Sequence, residues 1–209
     1  MSEKPEAETP NGQLPSTFSP ARMEAFSDGV MAVIITIMVL SIHPPLPGHV
    51  DIRDLGPLIP ELLVYLLSFA IIGIYWNNHH HLLRATPRIN GAVMWANLHL
   101  LFWLSLIPIA TSWSGENHLA LWPAVIYGAI EFMAGVAYYI LARFIVRANR
   151  GMDIEKAIAG DVKGRISLVI YAAGMALAAV PAIGPILSYV AYACVAVIWF
   201  IPDRRLVRR

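Results

Sequence analysis

The chain has 209 residues, of which 57% are hydrophobic and only 14% charged, whereas a soluble domain is roughly 45–50% apolar and about 25% charged. With a mean hydropathy of +0.60 and long apolar runs, this excludes a soluble globular domain and points to an all-α, polytopic membrane protein. The net charge of +1 gives no bulk attraction for nucleic acid, and the single cysteine, Cys194, excludes an intrachain disulfide or a cysteine-built metal site.

Residues 1–20 are polar and proline-rich and lack the hydrophobic centre of a signal peptide, so they read as a disordered, uncleaved cytoplasmic tail. Spanning the hydrocarbon takes roughly 20 apolar residues. Six segments between 21 and 202 qualify, and they make one transmembrane domain. The first runs from Met23 to Ile42 and stops at His43-Pro44-Pro45. The second starts near Pro57 or Pro60 and ends at His81, and the third runs from Gly91 to Trp113 across Pro108. The fourth covers Leu119 to Val146. Residues 166–201 are broken by Ala182-Ile183-Gly184-Pro185 into two short halves, which read as two spans or as a re-entrant pair. Two spans suit the charges better. With both termini cytoplasmic, 14 of the 15 Lys and Arg residues lie inside, including those of the basic C-terminus 203–209, and only Arg53 lies outside.

Polar residues inside apolar helices mark sites by default, since lipid offers them no partners. Arg22, Glu24, Ser27 and Asp28 open the first helix. His79, His80 and His81 close the second, but consecutive residues point about 100° apart on a helix and cannot share one metal. The ordinary reading is one buried histidine and two at the interface. Asn97 and His99 sit in the third helix, where an asparagine commonly bonds to a neighbouring helix. Glu131 is the most isolated intramembrane acid, either a proton-coupling group or a neutral or paired residue at a helix interface. Trp103, Trp113, Trp122 and Trp199 lie toward span ends, as an interfacial aromatic belt does. The sequence holds no catalytic triad order, HExxH or Gly-rich phosphate loop, and the connection 151–164 has no room for a nucleotide-binding domain.

At about 100° per residue, Val33, Thr36, Ile37 and Leu40 share one stripe of the first helix, with Asp28 about 140° from Val33. Periodicity alone leaves these as ordinary lipid-facing or core residues, because a helix apolar all round shows no preferred face.

Arg22-x-x-x-Phe26-Ser27-Asp28, Trp76-x-x-His79, and Asn97 followed by Pro108 together resemble the signature of the transmembrane protein 175 family of potassium channels. The resemblance runs from about residue 22 to 113 and implies a homotetramer whose four first helices line a central pore. By the same resemblance, Val33, Ile37 and Leu40 are apolar constrictions and Thr36 a hydroxyl layer. Val33 then makes a slightly wider first ring. Arg22, Phe26, Ser27, Asp28, Trp76, His79 and Asn97 become the structural network around the pore helix. The implied function is passive conduction of K+, and of other monovalent cations, across the cytoplasmic membrane. No cofactor and no enzymatic activity are expected, nor any fixed metal beyond permeating K+ near Thr36. The residues leave two other classes open. One is a proton-coupled carrier using Glu131 and His79, and the other a membrane enzyme with a histidine metal or haem site.

Overall fold

The computed structural model describes residues 19–45, 51–118, 120–150 and 162–200, and every described element is helical. The N-terminal tail, the basic segment 203–209, His49, Leu119 and most of the charged connection lie outside these residues.

Helix α1 spans Pro20–Met38 and tightens into a 3₁₀ turn at Val39–Ser41. Proline suits its first turn, where the missing N–H has no intrahelical partner to lose. A 3₁₀ segment, Ile52–Leu58, leads into α2, Ile59–Arg84. It opens on a reciprocal cap: Asp51 accepts from the Arg53 N–H at 2.9 Å, and Asp54 accepts from the Asp51 N–H at 3.0 Å. Asn90 caps α3, Gly91–Ser105, by accepting from the Val93 N–H at 3.0 Å.

The third apolar segment is two helices, α3 and then α4, Ile107–Glu116, which meet at Leu106. Pro108 is the cause. It lacks the N–H that would bond to Leu104 and its ring crowds that carbonyl. Helix α5 covers Leu121–Ala148, α6 Val162–Leu177 and α7 Gly184–Phe200.

Helix α5 is the hub, packing on α3, α4, α6 and α7, while α1 packs on α2, α3 and α4. Four helical segments are long and apolar enough to cross a membrane: 20–41, 52–84, 91–116 and 121–148. Helix α7 is apolar but has 17 residues, and α6 has 16. The break foreseen at Gly184-Pro185 is the turn between them. There Ala182 has φ 66°, and a Cβ on Gly184 would stand 2.5 Å from the Ala178 carbonyl oxygen, so glycine alone fits.

Tyr192, fully buried on α7, fixes this pair to the hub. Its ring occupies the space over Gly174 of α6 and Gly128 of α5, and its hydroxyl donates to the Ala124 carbonyl at 3.1 Å. A methyl at Gly174 would lie 2.4 Å from the Tyr192 ring. Gly174→Ala is therefore expected to destabilise the fold by about 1–3 kcal/mol, the usual cost of overpacking. Thermal unfolding of the purified protein measures it.

Candidate functional site

The sequence shows α1 apolar all round, and tertiary packing gives it a face. Met23, Ser27, Met31, Ile34 and Met38 recur at helical spacing and are buried against the rest of the chain. The opposite side carries Val33, 54% exposed, Ile37, 49%, and Leu40, 78%. Thr36 lies among them, also exposed, with its hydroxyl donating back to the Ala32 and Val33 carbonyls at 3.1 and 3.0 Å. That bond uses the hydroxyl's proton and leaves its lone pairs available to a cation. The four side chains thus form one exposed stripe, apolar except for the single Thr36 hydroxyl. At its Leu40 end the stripe borders an open groove also lined by Ser41, His43, Pro108, Ser112, Trp113 and Glu116.

The buried side of α1 is anchored by a polar chain through three helices. His79 of α2 and Asn97 of α3 are joined Nε2 to Oδ1 at 2.7 Å, and Asn97 Nδ2 donates to Ser27 Oγ at 2.9 Å. Ser27 in turn donates to the Met23 carbonyl at 2.8 Å. Because Asn97 uses its NH₂ on Ser27, its oxygen must accept from His79, which places the histidine proton on Nε2. All three side chains are buried. His79 Nδ1 and one carboxylate oxygen of Asp28 are also buried, with no hydrogen-bond partner among the described residues.

The other proposed network residues lie apart from this chain. Arg22, Phe26 and Trp76 are exposed on the same chain. Trp76 stacks on His80 with ring centroids 5.9 Å apart, and His80 Nδ1 meets Glu24 Oε1 at 2.6 Å. This second tie between α1 and α2 is absent from the sequence reading. The four-residue step from Trp76 to His80 was its only signal there. The three histidines therefore divide: His79 enters the buried chain, His80 pairs with Glu24, and His81 is exposed.

A further knot joins α2, α4 and α5 and reaches α1 through the Met38 sulfur, 3.9 Å from the Thr111 hydroxyl. Ser68 of α2 contacts the Thr111 hydroxyl of α4 at 2.7 Å and the Tyr127 hydroxyl of α5 at 2.9 Å. Glu131 is fully buried on α5, and neither of its carboxyl oxygens has a hydrogen-bond partner among the described residues. Among the described residues, no three His, Cys, Asp or Glu side chains are placed to hold a metal ion.

The family model described as "Endosomal/lysosomal potassium channel TMEM175" matches residues 22–108, the stretch that carries the stripe and the polar chain. A protein named as a potassium channel in Chryseobacterium sp. (strain P1-3) is 45% identical over 186 residues, 88% of this chain and 94% of the relative. Another, from Streptomyces collinus, is 32% identical over 142 residues, 63% of this chain and 67% of that one. Among solved structures, a "lysosomal potassium-selective channel TMEM175 homolog" from Chamaesiphon minutus superposes with a TM-score of 0.75. Its identity is 26%, and the match covers 87% of this chain and 96% of that one. The chain belongs to the TMEM175 family, a family of ion channels rather than enzymes.

Proposed function

We propose that the chain is a potassium channel in which four copies surround a pore lined by α1. The observation that carries this reading is the exposed stripe of Val33, Thr36, Ile37 and Leu40, which lies opposite the buried, hydrogen-bonded face of the same helix. The full-length resemblance to proteins named as potassium channels supports it. Six spans, with α6 and α7 as the two short ones, put both termini in the cytoplasm and Arg53 outside.

An apolar ring narrow enough to exclude bulk water makes an ion shed part of its hydration. Potassium holds its water less strongly than sodium, so it meets the lower barrier. The Thr36 oxygens, one from each copy, replace some of the lost water between the Val33 and Ile37 rings. Arg22, Phe26 and Trp76, exposed on one chain, suit contacts between neighbouring copies. The Ser27–Asn97–His79 chain acts as a structural anchor rather than an ion site.

Potassium flux into liposomes containing the purified protein tests the reading. Flux should run down the potassium gradient without proton coupling. Thr36→Ala should lower the preference for potassium over sodium several-fold, on the order of 1 kcal/mol of differential barrier. An unchanged preference would remove Thr36 from the filter. A proton-coupled carrier using Glu131 and His79, suggested by the buried acid, instead predicts saturating, pH-coupled flux that Glu131→Gln abolishes.

A further inference from the structure

Helices α2, α5, α6 and α7 do not close on one another completely. The cavity left between them has walls of hydrocarbon and aromatic rings: Ile71 and Ile74 of α2, Leu168 and Tyr171 of α6, Val195 and Ala196 of α7. Gly135, with no side chain, completes it on α5. The polar groups along these walls are bonded within the protein. Asn78 Nδ2 donates to the Ile74 carbonyl at 2.9 Å, and the Tyr138 hydroxyl donates to the Asn78 carbonyl at 3.2 Å. Ser167 Oγ donates to the Lys163 carbonyl at 2.8 Å and accepts from Trp199 Nε1 at 2.9 Å. An occupant of the interior therefore finds packing and few hydrogen bonds, which suits a hydrocarbon chain.

The rim is of another kind. The cavity reaches the surface at Tyr139 and Arg165, both exposed. Two aromatic rings of the lining carry a cation. The Arg143 guanidinium lies 5.5 Å from the centroid of Tyr139, and Lys163 Nζ lies 5.9 Å from that of Trp199. Arg165 lines the opening itself, and the lining includes no Asp or Glu. Three cations thus gather at one end of an apolar slot. On the proposed orientation that end is cytoplasmic, where aromatic and basic side chains meet the headgroups.

A hydrocarbon slot with a cationic mouth matches an amphiphile that has an apolar chain and a negative head. A small anion would leave the slot unfilled, and a neutral lipid would make no use of the cations. We propose that the cavity is a binding site for an anionic phospholipid, with one acyl chain between α2 and α6 and the phosphate at Arg165 and Lys163. Basic pockets between membrane helices recognise anionic headgroups in this way.

The test uses the full-length protein in phosphatidylcholine vesicles with a small admixture of phosphatidylglycerol. Bromine, which quenches tryptophan on contact, is carried on the acyl chains of one lipid or the other. The share due to Trp199 is the difference from Trp199→Phe. Brominated phosphatidylglycerol should quench Trp199 at about a tenfold lower mole fraction than brominated phosphatidylcholine, the order of effect that basic side chains near the surface exert on an anionic lipid. Lys163→Gln combined with Arg165→Gln should bring the two lipids level. Ala196→Phe, which fills the slot and keeps the cations, should do the same. Equal quenching in the wild type, or a preference that survives either change, would overturn the proposal. So would a brominated fatty acid acting at a lower fraction than the phosphatidylglycerol, since the cavity would then belong to a free carboxylate amphiphile. Should Ala196→Phe not fold, phosphorus analysis of the wild type purified in detergent at high salt decides. About one phospholipid per chain should remain, because salt screens a headgroup held by surface charge but does not extract a seated chain. Loss of all phospholipid would overturn the proposal. Neither readout requires conduction, so failure here is distinguishable from failure of the pore assignment.

Discussion

Asn97→Leu is expected to loosen the junction of α1, α2 and α3 and to cost about 1–3 kcal/mol, the sum of two interhelical hydrogen bonds in a setting where single bonds reach at most about 1.7. The substitution deletes the donor to Ser27 and the acceptor for His79 together. Both partners remain polar and buried, and leaving buried groups unpaired costs more than the bonds themselves contribute. The polar chain also gives a sharper test than stability alone. Ser27→Ala removes the acceptor that Asn97 uses together with the local bond from Ser27 to the Met23 carbonyl. In the double variant the Ser27 change should add little to Asn97→Leu. A coupling near 1 kcal/mol, measured by unfolding of the purified protein, would establish that the two act as one unit. Simple additivity would show that Asn97 serves α2 alone. On the proposed function, potassium flux should fall in step with stability, because there the polar chain only holds α1 in place.

Ile37→Asn is expected to act in the opposite manner, leaving the fold intact and changing what passes. Ile37 is half exposed on the single chain and lies one turn from Val33 on the stripe. An amide there wets a ring whose proposed work is to stay dry, so ions no longer shed water on passing it. The expected result is faster flux with the preference for potassium over sodium reduced about tenfold, equivalent to about 1.4 kcal/mol of differential barrier. Liposome flux with each cation measures both quantities. The control is the buried face. Ile34, 5% exposed and packed in the core, should tolerate the same change poorly, with loss of folded protein and no change in selectivity. A selectivity change at Ile34 with none at Ile37 would place the pore on the wrong side of α1.

The legibility of this molecule in its sequence follows the kind of signal each feature leaves. Apolar length reveals the membrane helices, and Gly184-Pro185 marks the turn between α6 and α7, whereas Pro108, read within one span, divides α3 from α4. Rare polar residues in apolar helices singled out Ser27, His79 and Asn97, and the structure brings these three together. What stays hidden is whatever depends on which helices become neighbours. No periodicity in α1 separates Met31, Ile34 and Met38 from Val33, Ile37 and Leu40, because all six are apolar and only packing tells them apart. Glu24 and His80 lie 56 residues apart, and nothing local links them. Arg22, Phe26 and Trp76 belong to a motif on paper, yet a single chain leaves them on its surface.

The division of labour between the two ends of the chain has an evolutionary reading. Helix α1 is held by α2, α3 and α4, whereas α6 and α7 lean on α5 and, through α7, on α2. A substitution in the last hairpin reaches the stripe only through intervening helices, so it can accumulate as drift that adjusts the fit to the surrounding lipid. On the proposed function, a substitution on the exposed stripe of α1 acts on the pore directly. On that reading the first half carries the text by which the family is recognised, while the Chryseobacterium relative matches over 88% of the chain. The family match, confined to residues 22–108 in a chain of 209, has that form.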